Sequence, residues 1–332
     1  MDISTYLFLL SKGTPNMKTI PQSSLNTISE TLLTSVKSCR KPVDLSEFSK
    51  KWNLNSTNTY TATSPKVIKN EIVSMAPTLV LYMFPTKQAC PAAGSCRHLC
   101  LNTAGNPIYL KGKLACRVRR NKAFLNDAGR FTRNLVLEAY RFYRKHANWD
   151  KLGLRLNGVS DWQWFKIAVT ITQADSDYFI KAFNIYIQPK RYQSILEAIL
   201  SGHDNYLEQN ISHKMVCYDY TKRVDFIDSW EYINKINYHI SLSHGSKFDT
   251  LETAEKLGLN YLAAYKPIKG QPMPKLIKYR GKIYETFNAE KTDYRPLDKN
   301  DKTRIGLLPI KRTPYSTPEL EDEFCLKFEI IA

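Results

Sequence analysis

Pro77-Thr-Leu-Val-Leu-Tyr-Met-Phe84 is an apolar run stopped by Pro85. It lacks the polar alternation of a half-exposed strand, so it predicts a strand buried on both faces, as in parallel sheets. Similar runs recur at 152–156, 215–218, 238–242, 260–265 and 305–308. Between them the spacing predicts helices: 118–147 with a break at 126–129, then 162–171, 191–200, and 251–257 with Gly258 as its C-cap. Apolar strands separated by helical segments predict an α/β fold, a TIM-like or partial (β/α) barrel with mostly parallel strands. Residues 76–312 would form this catalytic domain. Residues 1–75, rich in Ser, Thr, Asn and Lys with one amphipathic pattern near 28–36, predict a poorly structured or partly helical N-terminal extension, and 313–332 a C-terminal tail.

The 332 residues are 43% hydrophobic and 24% charged, ordinary globular usage that excludes wholesale disorder and coiled coil. No apolar run approaches the ~18 residues of a membrane span, and Tyr6-Leu-Phe-Leu-Leu10 has neither a basic flank nor a small-residue cleavage site. The expected location is therefore the cytoplasm, with no membrane partner. Forty-eight Lys and Arg oppose 31 Asp and Glu, giving +17, which points to a polyanion, with nucleic acid the first expectation. Between Lys111 and Lys145 stand eleven basic residues against Asp127 and Glu138, with Phe124, Phe131, Tyr140, Phe142 and Tyr143 among them. Lys113, Arg117, Arg119, Arg120, Lys122, Arg130 and Arg133 are the candidate phosphate contacts, and double-stranded DNA is the expected partner.

Strand ends of parallel sheets gather functional side chains. The first such end carries Cys90-Pro-Ala-Ala-Gly-Ser-Cys96-Arg-His-Leu-Cys100. Three cysteines this close in a chain expected in a reducing compartment point to metal or redox chemistry. If a helix opens at Arg97, Cys96 and Cys100 share a face. The three thiolates would then hold zinc or an Fe–S cluster, with His98, Cys116 or an open site as fourth ligand. Cys39, Cys217 and Cys325 read as packing residues. Asp161 and Asp219 each follow a strand and are candidates for nucleophile, general acid or base, or helix cap. Asn157, Lys222 and His244 are the candidate substrate contacts. Asp293, Arg295 and Asp298 read as a solvated charge cluster. No Walker or Rossmann fingerprint is present.

Cys90-Pro, Cys96, Cys100-Leu-Asn-Thr-Ala-Gly105, Leu154-Arg-Leu-Asn-Gly-Val-Ser-Asp161, Tyr218-Asp-Tyr-Thr-Lys222 and Tyr238-His-Ile-Ser-Leu-Ser243 look like a bacteriophage protein family over about 75–312. Two activities are implied by resemblance. The chain resembles phage DNA-guanine transglycosylases, distant relatives of tRNA-guanine transglycosylase, which exchange guanine in DNA for a 7-deazaguanine base and so evade host restriction. That resemblance implies a TIM-like barrel, zinc on Cys90, Cys96, Cys100 and His98, and Asp161 with Asp219 as the catalytic pair. The chain also resembles radical SAM enzymes, in which a Cys triad follows the first strand of a partial barrel. That resemblance implies a 4Fe-4S cluster with S-adenosylmethionine. Here the Cys spacings are five and three residues instead of three and two. Base exchange is the first expectation, the radical reaction the second, and a non-catalytic DNA-binding protein with a structural metal site the third.

Overall fold

The computed structural model describes residues 65–102, 107–298, 301–311, 313 and 316–331; the amphipathic pattern near 28–36 and Cys39 lie outside the described residues. Helix α1 (Pro65–Ser74) leads into β1 (Thr78–Val80), then α2 (Pro107–Asn126), α3 (Ala128–Lys145) and β2 (Leu152–Arg155). An inserted region follows: β3 (Val169–Ile171), α4 (Gln173–Phe183), β4 (Ile185–Tyr186), β5 (Lys190–Tyr192), α5 (Ile195–Leu200), β6 (His203–Asp204) and β7 (Gln209–Asn210). The chain then returns to β8 (Met215–Thr221), α6 (Trp230–Lys235), β9 (Tyr238–Ser243), α7 (Thr250–Leu257) and β10 (Tyr261–Tyr265). It ends in β11 (Leu276–Tyr279), β12 (Lys282–Asn288), β13 (Ile305–Pro309), α8 (Pro318–Phe324) and β14 (Glu329–Ile330).

The main sheet has nine strands in the order β1-β2-β8-β9-β10-β13-β12-β11-β14. Every pairing from β1 to β12 is parallel, and β11 pairs antiparallel with β12 and β14. The fold is thus mixed α/β around a large, mostly parallel sheet. All six expected strands are present, and they lie side by side in chain order. Register sets Leu79 opposite Leu154, Leu154 opposite Cys217, and Cys217 opposite Tyr238, all buried.

Local chemistry explains the element ends. Beyond Val80, Leu81 still bonds Arg155 O and Gly158 N, and then the Asn121 side chain of α2 takes over, accepting from Phe84 N at 2.9 Å and donating to Phe84 O at 2.8 Å. Asp127 caps α3 by accepting from Arg130 N at 2.9 Å, so the long helix breaks where expected. Helix α3 buries Phe131, Leu135, Ala139 and Phe142, one helical stripe against the core. The helix expected over 162–171 is replaced by one 3-10 turn, Trp164–Lys166, and β3. The indole of Trp164 donates to Leu156 O and to Asn157 Oδ1, and the β-branched Val169 and Ile171 pair with β5. The helix expected over 191–200 starts only at Ile195, where Ser194 caps it, because Arg191 and Tyr192 belong to β5.

Residues 316–331 return to the sheet: Leu326 N donates to Ala264 O at 2.8 Å and Ile330 pairs with Ile277. Among the described residues no helix is long and apolar enough to cross a membrane.

Candidate functional site

The loop after β1 is tied down before it reaches its second cysteine. Cys90 N donates to Thr86 O, and Asp161 N donates to Ala89 O. Further along, Lys247 N donates to Ala92 O and Gly94 N to Gly245 O, so the loop docks on the turn that follows β9. This contact requires glycine on both sides: a Cβ on Gly94 would lie 2.7 Å from the Ser246 backbone, and Gly245 has φ +79°. Ser246 Oγ closes the joint by donating to Lys222 O at 2.7 Å, with Ala92 O 3.2 Å away.

Docked this way, Cys90, Cys96 and Cys100 line one cavity of about 280 Å³ at the carboxyl ends of the parallel strands. The expected helical face is absent, since only Ser95–Arg97 forms a 3-10 turn; the cavity wall brings the cysteines together instead. His98 is exposed and, like Cys116, does not line the cavity. Cys217 and Cys325 are buried, as packing residues should be. Among the described residues no group of three or more His, Cys, Asp or Glu is placed to hold a metal ion. Burial pushes the Cys90 thiol well above its usual range, with Asp161 and the other two cysteines adding to it. Burial and Cys96 likewise raise Cys100, and Lys222 opposes the shift at both thiols.

The two candidate aspartates are held differently. Asp161 lines the cavity; its Oδ1 accepts from Thr221 Oγ1 at 2.7 Å and its Oδ2 from Lys222 N at 3.0 Å. Burial pushes its carboxyl up to about 6 against those two donors. Asp219 is 1% exposed and does not line the cavity. Its Oδ1 accepts from Asn157 N at 2.8 Å and its Oδ2 from Tyr238 Oη at 2.9 Å, so both oxygens are engaged. Burial raises it to about 7, with Arg155 and these donors opposing.

Lys222 Nζ donates to Ser243 Oγ at 2.8 Å, and both residues line the cavity with His244. His244 Nδ1 lies 2.9 Å from Tyr261 Oη, and burial beside Lys222 and Arg280 pulls its pKa down to about 4, leaving a neutral ring at pH 7. Asn157 also reaches the cavity wall, but its amide is committed: Oδ1 accepts from Trp162 N, Trp164 Nε1 and Ser160 Oγ, and Nδ2 donates to Trp162 O. Asn157 is a positioning residue.

Arg155, Tyr220 and Asp293 form the floor of the cavity. Arg155 pairs with Asp293 Oδ2, Tyr220 Oη donates to Asp293 Oδ1 at 2.5 Å, and the Arg155 guanidinium lies 4.2 Å from the Tyr220 ring centroid. Asn70 of α1 supports the group, accepting from Asp293 N at 2.8 Å. The solvated cluster expected at 293–298 is therefore corrected: Asp293 and Arg295 are buried. Sequence did carry one signal for this floor, an arginine between Leu154 and Leu156 in a fully buried strand, because such a charge needs an acid partner.

A family model described as Gene product 88 matches residues 50–309. The chain belongs to the Gene product 88 family. It is a bacteriophage protein, as the motifs suggested, and the family's description names no activity. No curated protein matches, and no solved structure does.

In this family member the basic segment is not a continuous phosphate track. Arg117 is buried, donating to Asn102 O and Oδ1 with its guanidinium 5.2 Å from the Tyr82 ring centroid, and Arg120 is buried with a bond to Tyr82 O. Arg130 pairs with Asp127, and Arg133 lies 3.9 Å from Asp175. Arg119 is exposed and Lys113 and Lys122 are half-buried. Phe124, Phe131, Tyr140, Phe142 and Tyr143 are all core. The helices that carry these residues must bury a face, and alternate charges turn inward with it.

Proposed function

We propose that this phage protein is a radical SAM-like enzyme acting on nucleic acid, with Cys90, Cys96 and Cys100 holding a 4Fe-4S cluster and S-adenosylmethionine completing it. One observation carries the reading: the three thiols come from the loop directly after the first strand and open on one cavity at the carboxyl rim of six parallel strands in chain order. That order suits a partial barrel. The donor types suit the group, but among the described residues the three thiols are not grouped as a metal site, so the cluster would have to draw them together. Burial raises the Cys90 and Cys100 thiols, so iron would have to displace their protons, which its positive charge favours. When bound, the cluster and its partner supply an electron and a carbon radical that removes a hydrogen atom from substrate. Lys222 and Ser243 would hold the charged end of a ligand, Asp161 would exchange a proton at its carboxyl oxygens, and the apolar wall of Leu262, Leu308, Ile310 and Phe324 excludes water. The charge of +17 supports a nucleic-acid substrate, met in the host cytoplasm where thiols stay reduced.

Base exchange with zinc is the second reading, favoured by Asp161, a cavity-facing acid raised to about 6. It would have to proceed with one acid, since Asp219 has its oxygens engaged away from the cavity. Anaerobic purification and reconstitution with iron and sulfide decides between them. The expected result is a brown protein with a cluster signal lost in Cys90→Ser, Cys96→Ser and Cys100→Ser. A colourless protein with stoichiometric zinc, whose base-exchange activity disappears in Asp161→Ala, would overturn the cluster reading.

A further inference from the structure

Four cations surround the cavity on loops that follow three different strands. Lys87 and Arg97 stand after β1, Lys247 after β9, and Lys311 after β13. Lys87, Arg97 and Lys311 line the cavity itself, while Lys247 is held beside it by the bond from its N–H to Ala92 O. Lys87, Lys247 and Lys311 are exposed, and Lys87 makes no ion pair among the described residues. Lys311 forms a long ion pair with Glu290 at 3.8 Å, both side chains exposed. The other acids of the cavity, Asp161 and Asp293, are buried and bonded, so the mouth itself is positive. Next to Lys247 stands Phe248, 47% exposed, with the Lys247 ammonium 5.0 Å from its ring centroid. An exposed aromatic beside a cation is a pairing that stacks bases and holds phosphates on single strands.

Volume decides how much of a polynucleotide enters. Ligand pockets of about 300 Å³ hold one small molecule, so this cavity of about 280 Å³, claimed by the cluster and its partner in the proposed reaction, leaves the polynucleotide at the mouth and excludes a double helix. A base read here must already be out of its stack, which an unpaired strand offers without the cost of extrusion. We infer that the mouth of the cavity binds single-stranded nucleic acid, its phosphates on Lys87, Arg97, Lys247 and Lys311, with Phe248 stacking on a base. This deepens the proposed function and rests on the same cavity being the active site; it replaces both the duplex expectation and the α2–α3 track.

The test is fluorescence anisotropy of the full-length chain, as isolated, with a labelled single-stranded DNA oligonucleotide across a salt series. Lys87→Glu/Lys311→Glu is expected to weaken binding at least tenfold and to reduce the salt slope by about 1.4, at about 0.7 for each single-strand phosphate no longer neutralised. Phe248→Ala is expected to weaken it roughly tenfold. Arg119→Glu/Lys122→Glu on α2 is expected to leave the slope unchanged, and the unlabelled duplex and a mononucleotide are expected to compete poorly. An unchanged slope in the mouth variant, an equal loss in the α2 variant, or equal competition by duplex or mononucleotide would overturn the inference. A cluster that assembles in a chain whose binding ignores the mouth refutes this surface alone. A chain that never assembles one, but binds through the mouth, refutes the radical reading alone.

Discussion

The carboxyl rim of the sheet and the layer just beneath it use the same residue types in opposite ways. Beneath, Arg155, Asp219, Asp293, Asn157 and Asn70 spend their polar atoms on one another and on backbone. At the rim, Cys90, Cys96, Cys100, Lys87 and Lys311 line open space, and Asp161 and Lys222 share it with bonds that leave them facing the cavity. A densely bonded polar layer fixes geometry, even with the Arg155 Nε left without a hydrogen bond; a sparsely bonded one is available to a ligand. Substitutions should separate the two, with stability lost below and binding or chemistry lost above.

The largest effect is expected below. Asp293→Ala strands the Arg155 guanidinium in a buried site and removes the acceptor of Tyr220. Breaking such a pair costs about 3–5 kcal/mol, which urea denaturation would report. The double variant Arg155→Met/Asp293→Leu should recover part of that loss, because no charge is left without its partner. A loss under about 1 kcal/mol in Asp293→Ala would mean that the floor does not hold the sheet and that the contrast between layers is false.

Asp161 tests the boundary between the layers. Its carboxyl is raised to about 6 in the fold, against about 3.9 in an unfolded chain. The folded state therefore keeps the proton between those values. Stability from this group is full at low pH and declines as pH rises from about 4 to 6, by up to about 3 kcal/mol. Asp161→Asn should flatten that part of the pH–stability curve. An amide can stay in place, its oxygen accepting from Lys222 N and its nitrogen donating to Thr221 Oγ1. A wild-type curve that rises over this interval would show that the carboxylate is the form the fold prefers.

What the sequence could disclose divides along the same line. The six parallel strands were legible because burial on both faces leaves an unbroken apolar run, and the break before α3 was legible because Asp127 caps it locally. The cysteine loop was legible as a cluster, but its convergence depends on Gly94 meeting Gly245, far away along the chain. Asp161 and Asp219 looked equivalent because each follows a strand. Only Asn157 N and Tyr238, from the two neighbouring strands, hold Asp219 in the layer beneath the cavity. Arg117 and Arg120 looked like phosphate ligands because charge alone does not say which side of a helix meets the core.

The smallest effect is expected from Ser243→Ala. Its hydroxyl is the acceptor for Lys222 Nζ at 2.8 Å, a bond that looks as firm on distance as any in the floor. The difference is that Lys222 lines the cavity and can exchange this partner for water. A hydrogen bond whose donor keeps access to solvent leaves no unsatisfied charge when it is broken, so its loss should cost under about 1 kcal/mol. The same change frees the ammonium to move within a site that contains two raised thiols and Asp161. Ligand affinity should then respond more than the urea midpoint does. A stability loss as large as that of Asp293→Ala would place Lys222 and Ser243 in the supporting layer and leave the thiols without a cation available to a ligand.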